Sequence, residues 1–318
     1  MPSSGREQID LKPRADIVAH TSGDAPTREA ICAVVVTRNP DAGLFSRMEK
    51  VQTQVDRAVL VDNGSADLCV RRLRELATSL SVHLILNGAN QGVARALNQG
   101  VQYAMERHYR WALTLDQDTS VAADMVDSLT ALYQEFPDNG RLAVIGSNYT
   151  NSVNGRPAAA NPHGSHSWGE EVKTVITSGS LISLNALYEI GGFRDEFFVD
   201  CVDLDYCLRA RSKGFRIALS SGPLMQHCIG NLTEHHLPWK TTGTTNHPPQ
   251  RQYFMARNIT ILACEYLGRE PRWVLSTLWL RMKSLLLICL FEKVRLQKLG
   301  HALLGMLDGI RKKTKRFA

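Results

Sequence analysis

Trp111-Ala112-Leu113-Thr114-Leu115-Asp116-Gln117-Asp118 is an apolar run that ends directly in two carboxylates. Its first five residues have the content of a strand buried on both faces. In an extended segment the side chains of Asp116 and Asp118, spaced i and i+2, project from one face. Two acids on one face repel each other. A hard divalent cation such as Mg²⁺ or Mn²⁺ relieves that repulsion, because it takes oxygen ligands and bridges diphosphate oxygens. The plainer reading of the same residues is a solvated acidic turn in which Asp118 and Thr119 cap the next helix.

The flanking sequence places this run in a repeating pattern. Short apolar runs at 31–36, 58–61, 82–86 and 142–145 also have the character of buried parallel strands, and helical periodicity fills 43–55, 67–79, 93–107 and 122–135. Strand–helix alternation predicts an α/β fold, a Rossmann-like open and mostly parallel sheet with ligands at the carboxyl ends of its strands. The alternation stops after about residue 148. A polar loop over 148–171 is expected, followed by extended segments within 175–183, helices at 185–191 and 203–213, and strands at 216–219 and 224–227. A second polar loop, 229–249, precedes an amphipathic helix at 250–266. Residues 1–29 lack periodicity and predict a flexible arm. The expected division is therefore an arm at 1–29, one domain at 30–266 with halves meeting at 118/119, and amphipathic, basic helices at 267–318.

Composition narrows the partners. The chain has 318 residues, 44% of them hydrophobic, and a formal charge of +6. Eight of its Lys and Arg lie in 293–318 against one acid, Asp308, so the excess is concentrated on the tail. Such a balance favours anionic partners: nucleotide phosphates, a membrane surface or nucleic acid. The tail lacks interleaved aromatics, and no nucleic-acid partner is expected. Seven cysteines without CxxC spacing, and a polar amino-terminal stretch, predict a reduced, cytoplasmic protein. The segment 272–293 is the most apolar, but Arg281 and Lys283 interrupt it, leaving 285–291 as its longest pure run. A spanning helix needs about 20 apolar residues. The expectation is an interfacial helix on the membrane surface or, equally, a helix packed on the core or in a homo-oligomer interface.

Other strand ends carry polar groups of the same kind. Val61-Asp62-Asn63-Gly64-Ser65 suits the edge of a base or a ribose hydroxyl, or is simply an Asx turn feeding the next helix. In Asn90-Gln91-Gly92, continuing to Asn98, Gly92 opens a helix whose exposed amides favour anions, or Asn90 merely caps it. In Phe198-Val199-Asp200-Cys201-Val202-Asp203-Leu204-Asp205, acids set among apolar residues are candidates for general-base duty, with Asp203 or Asp205 in that role, or are helix caps. His227 ends a strand, where it completes a metal site or plays a structural part.

Taken in order, these motifs resemble glycosyltransferase family 2, the inverting enzymes of the GT-A fold. The matching residues are Val34-Val35-Val36-Thr37-Arg38-Asn39, Val61-Asp62-Asn63-Gly64-Ser65, Asn90-x-Gly92 through Asn98, Asp116-Gln117-Asp118, Thr177-Ser178-Gly179-Ser180, and Gly191-Gly192-Phe193-Arg194-Asp195-Glu196 leading into Asp203-Leu204-Asp205-Tyr206. They span about residues 30–260. The Asp-Gln-Asp-Thr form, the Phe-Val-Asp run and Arg251-x-Tyr253-x3-Arg257-Asn258 are most similar to bacterial rhamnosyltransferases that use dTDP-L-rhamnose for cell-surface polysaccharide, lipopolysaccharide O-antigen or rhamnolipid.

The resemblance implies roles. Thr37, Asn39, Asp62 and Asn98 line the nucleoside pocket, and Asn63, Ser65, Gly92 and Gln117 belong to the same donor side. Asp118 and His227 hold Mg²⁺ or Mn²⁺ and the diphosphate. Asp116 meets the ribose or reaches the metal through water. Asp203 is the base, and Ser178, Gly179, Asp200, Asp205 and Arg257 lie on the acceptor side. The implied reaction moves L-rhamnose to a hydroxyl of a glycan or lipid-linked acceptor at the inner face of the cytoplasmic membrane. Two departures stand out: Arg38 occupies a position where many members have Tyr, and Val202 replaces the first acid of a Glu-Asp pair. The second leaves Asp200 and Asp205 as alternative bases.

Transfer of a different UDP- or dTDP-hexose is the nearest alternative. A nucleotidyltransferase would also use acids and Mg²⁺, but residues 37–43 lack its Gly-rich, basic signature. A non-catalytic scaffold in polysaccharide assembly fits less well with the complete set of acids.

Overall fold

All seven side chains of β1, Ile31–Thr37, are buried. A strand without a solvent face belongs in the middle of a sheet covered on both sides. Ile31, Ala33 and Val35 join a core with Leu44, Met48 and Val51 of α1 (Leu44–Gln52) and Leu73 and Leu76 of α2 (Asp67–Ser79). Val34 points the other way, where α3 (Val93–Glu106) approaches so closely that a Cβ on Gly100 would lie 2.2 Å from its Cγ1. The computed structural model describes residues 25–157, 169–228, 230, 232–237 and 240–312. Most of the predicted arm, the middle of the predicted loop after 148, and Lys313, Lys315 and Arg316 of the basic tail lie outside them.

Strands β2 (Arg57–Asp62), β3 (His83–Leu86) and β4 (Trp111–Asp116) complete the parallel half in the order β3-β2-β1-β4. Beyond β4 the sheet is mixed. It continues β8 (Ser180–Ser183), β6 (Leu142–Asn151), β9 (Arg216–His227) and β5 (Ser120–Val121), with β7 (Gly169–Glu171) also on β9. The fold is thus α/β with a large, mostly parallel sheet. The strand expected at 142–145 runs parallel to β9, but antiparallel β8 lies between it and β4. The two strands expected at 216–219 and 224–227 form one. β9 passes through Pro223 where its pairing with β6 shifts register, and a residue without an N–H is tolerated at such an irregularity. α4 (Met125–Glu135), α5 (Leu184–Ile190) and α6 (Val202–Ser212) complete this part.

The chain divides into two compact units. One runs to Asp195 and includes Val202–His227; the other comprises Glu196–Cys201 and the chain from Cys228 onward. The second unit holds a hairpin, β10 (Thr233–Leu237) and β11 (Lys240–Thr244), within the expected polar loop, then α7 (Pro249–Tyr266), α8 (Pro271–Phe291) and α9 (Arg295–Ile310). The sequence reading put the boundary at 266/267. The structure groups α7 with the helices after it because α7 packs along α9: Cβ atoms on Gly305 and Gly309 would lie 2.2 Å from the Tyr253 carbonyl oxygen and 2.7 Å from that of Arg257. All seven cysteines are free.

Candidate active site

The registers Thr37↔Asp62 and Val36↔Asp116 set the carboxyl ends of β1, β2 and β4 side by side. The Asp62 carboxylate accepts hydrogen bonds from the Gly64 and Ser65 amides at 3.2 and 3.1 Å and from the Ser65 hydroxyl. The Asn39 amide donates to Ser65 Oγ (2.7 Å), and the Ala66 amide donates to Asn39 Oδ1 (2.8 Å), which ties the β1 and β2 loops together. Gly64 has φ +84°, and a Cβ there would lie 2.5 Å from the Ala89 carbonyl carbon, so only glycine fits. Asn63 donates to Asn90 Oδ1 (2.9 Å) and accepts from the Gln91 amide (2.8 Å), leading to Gly92 at the start of α3. Thr37 is 1% exposed and its hydroxyl has no hydrogen-bond partner, which marks an unmet polar position beside Asp62.

Asn98, read as a nucleoside-pocket residue, has its amide engaged elsewhere. It donates to the Phe193 carbonyl (2.7 Å) and Asp195 Oδ1 (2.8 Å) and accepts from the Phe193 amide (2.9 Å), pinning the Gly-Gly-Phe-Arg-Asp segment to α3. Gln117 is held at both ends: its Oε1 accepts from the Arg38 amide (2.7 Å) and its carbonyl from Arg47 Nε (2.8 Å).

Asp116, Asp118 and His227 each offer one ligand atom, and these atoms lie within 4.8 Å of one another. His227 Nε2 is 3.8 Å from Asp116 Oδ2, and Nδ1 is 3.6 Å from Asp118 Oδ1. Asp118 and His227, 109 positions apart, come together because β9 ends beside β5, directly after the acids. Two carboxylates and an imidazole form a donor set suited to Mg²⁺ or Mn²⁺. Behind His227 lie two hydroxyls: that of Thr119, which the sequence did not assign to the site, and that of Ser178, which it placed on the acceptor side. Thr119 Oγ1 is 3.0 Å from His227 Nδ1 and 2.6 Å from Ser178 Oγ, which accepts from the Asp116 amide at 3.1 Å. The alternative in which Asp118 and Thr119 cap the next helix is not what forms, because the N-cap position of α4 is Asp124. Ser178 and Gly179, read as acceptor-side residues, sit against β4: the Gly179 amide donates to the Thr114 carbonyl at 2.8 Å.

The three acids proposed as bases differ in environment. Asp205 is fully buried, with Arg194 at 3.2 Å and Arg209 at 2.8 Å. Burial pushes its carboxyl above the usual range against the pull of both arginines. Asp203, in the first turn of α6, is half-buried, and its Oδ1 accepts the Leu204 amide at 2.8 Å. Within the second unit, Asp200 is paired with Arg251 through contacts of 2.9–3.2 Å. Arg257, read as an acceptor-side residue, is wholly buried there and donates to the Glu196 and Phe197 carbonyls and to Asn258 Oδ1. Asp205 and Arg257 are thus buried and engaged, Asp200 is half-buried in its ion pair with Arg251, and Asp203 is half-buried at the start of α6.

The model for Glycosyl transferase family 2 matches residues 32–191, half of the chain. The chain is 26% identical over 298 residues to the dTDP-rhamnosyl transferase RfbF of Shigella flexneri, covering 88% of this chain and 95% of that one. It is 23% identical over 296 residues to the low-salt glycan biosynthesis hexosyltransferase Agl10 of Haloferax volcanii, covering 85% and 87%. Among solved structures, S. aureus TarS 1-349 superposes with a TM-score of 0.56 at 15% identity over 89% of this chain and 82% of that one. The mannosyltransferase PcManGT of Pyrobaculum calidifontis, solved with GDP-Man and Mn²⁺, gives 0.54 at 15% over 97% and 92%. These superpositions establish a GT-A-like fold.

Proposed function

The chain belongs to glycosyl transferase family 2, and from that premise we propose that it moves L-rhamnose from dTDP-L-rhamnose, with inversion, to a hydroxyl of a glycolipid or polysaccharide precursor at the cytoplasmic face of the membrane. The observation that carries the catalytic part is the Asp116–Asp118–His227 cluster at the carboxyl ends of β4 and β9. The choice of donor is supported by the likeness to the Shigella rhamnosyl transferase.

In this reading Asp118 and His227 bind Mg²⁺ or Mn²⁺ directly and Asp116 directly or through water. When bound, the cation neutralises the charge that develops on the departing diphosphate. Thr37 and Asp62 receive the nucleoside, on a floor shaped by Asn39, Asn63, Ser65, Gly92 and Gln117. Asp203 takes the proton of the acceptor hydroxyl as its oxygen attacks the anomeric carbon opposite the diphosphate. A single displacement of that kind inverts the configuration. Asp200, Asp205, Asn98 and Arg257 position the segments that carry these groups.

The test combines donor, metal and base. A thermal-shift screen should show stabilisation by dTDP-L-rhamnose with Mn²⁺ that exceeds any UDP-sugar and vanishes in chelator. Asp203→Asn should lower transfer by about 10²–10⁴-fold with donor stabilisation retained. Full transfer by Asp203→Asn removes the assigned base, and equal stabilisation in chelator removes the metal.

A further inference from the structure

The second unit turns two apolar rows outward. On α8, Leu275, Leu278, Trp279, Met282, Leu286 and Leu290 recur at three- and four-residue spacing and so share one face, and every one is exposed, Trp279 by 71%. On α9, Leu296, Leu303, Leu307 and Ile310 form a second exposed row, Leu296 by 80%. Rows of this length on a protein surface mark an interaction site.

The charges around them are segregated. From Pro271 to Lys312 the exposed charged side chains are Arg272, Lys283, Lys293, Arg295, Arg311 and Lys312, all cationic. Both acids of that stretch point inward: Glu292 is 6% exposed and meets Lys298 at 2.6 Å, and Asp308 is 1% exposed and accepts from the Tyr253 hydroxyl at 3.0 Å. Arg272 and Lys283 lie on α8 three or four residues from Leu275, Trp279 and Leu286, on the side of the apolar row. A second copy of this surface would bring cations against cations, since an isologous contact repeats the same patch. An anionic headgroup layer satisfies both the rows and their cations.

We propose that α8 and α9 seat the chain on an anionic lipid surface, lying in the plane of the headgroups. Among the described residues α8 is the one helix long and apolar enough to cross a bilayer. Its middle is nevertheless tied to protein: Arg281 is 4% exposed and donates to Gln252 Oε1 of α7 at 2.8 Å, and Val274 and Ile288 are buried on the same side. Crossing would put Arg281 and Lys283 at mid-bilayer depth, where charges are strongly disfavoured. The inference stands without the transferase reading, because neither donor nor acceptor enters it.

The test uses the full chain without nucleotide. Co-sedimentation with phosphatidylcholine vesicles containing phosphatidylglycerol should capture the protein, phosphatidylcholine vesicles alone should not, and added salt should release it. Arg272→Glu and Lys283→Glu should each weaken binding about fivefold or more. Trp279→Ser with Leu286→Ser should abolish the blue shift of tryptophan emission on binding, with an unchanged melting temperature in the absence of lipid. Three results would overturn the proposal: salt-insensitive binding to both vesicle types, resistance of the native protein to alkaline carbonate extraction, and a dimer in sedimentation velocity with no vesicle binding.

Discussion

Thr119 shows how a site can depend on a residue that touches no substrate. For His227 to ligate a cation through Nε2, its proton must sit on Nδ1, and the group facing Nδ1 at 3.0 Å is the Thr119 hydroxyl. Thr119 can then pass its own hydrogen to Ser178 Oγ at 2.6 Å. Thr119→Val removes that acceptor, and Mn²⁺ affinity should fall about 10–100-fold while Thr119→Ser keeps it, as read by calorimetry or Mn²⁺ electron paramagnetic resonance. Unchanged affinity in the valine variant would sink the orienting role. His247 makes a second residue-scale case. It is buried, and desolvation, helped by Arg251, pushes its imidazole from 6.5 down to about 4. The folded chain thus keeps His247 neutral where the unfolded chain is protonated, so its contribution is present above pH 6.5 and lost as pH falls toward about 4. The size is at most about 3 kcal/mol. His247→Gln should flatten the fall in melting temperature between those pH values. At this scale the acids and His227 were legible, because each sits at the end of an apolar run. The partners of His227 were not, since Thr119 and Ser178 are 59 residues apart and meet only through the sheet.

Helix α9 carries two glycines with opposite expectations. At Gly305 a Cβ would lie 2.2 Å from the Tyr253 carbonyl oxygen, which is backbone and cannot swing away. At Gly300, in the same helix, nothing lies within 4 Å. Gly305→Ala should therefore cost about 1–3 kcal/mol by forcing α7 and α9 apart. Gly300→Ala should gain up to about 1 kcal/mol from helix propensity. Melting temperatures moving the same way in both would refute the close packing. Element reading from sequence worked where burial leaves a pattern. β1, α2 and α7 emerged near their expected limits because strand and helix periodicities differ over that length. The hairpin at Thr233–Leu237 and Lys240–Thr244 gave no such signal: Thr233, Glu234, His235 and His236 alternate nothing apolar, and its pairing is antiparallel and local. The insertion of β8 beside β4 was also invisible, since a short apolar run does not name its neighbour.

For the molecule as a whole, the division into two units separates two kinds of surface. The strand ends that carry Thr37, Asp62, Asp116 and His227 all belong to the unit containing Val202–His227, and α7, α8 and α9 belong to the other. Composition alone could not show this, because a charge of +6 fits a nucleotide pocket and a lipid-facing helix equally well. It takes the buried acids Glu292 and Asp308 to reveal that the carboxyl-terminal cations stand exposed without counter-charge from their own stretch. Ligands of the two surfaces should then leave separate marks in hydrogen exchange. dTDP with Mn²⁺ should slow exchange at 31–39, 57–66, 111–121 and 216–227 and leave 271–310 unchanged. At a ligand concentration 100 times Kd the stabilisation is about 2.7 kcal/mol, enough to slow about 100-fold those amides that exchange only when the nucleotide-binding unit opens. Anionic vesicles should do the reverse, protecting 271–310 alone. Protection by nucleotide confined to 249–310 would move the donor site out of the sheet and break the assignment of Asp116, Asp118 and His227. Vesicle protection confined to 31–121 would strip α8 and α9 of their lipid role and leave the transferase assignment standing.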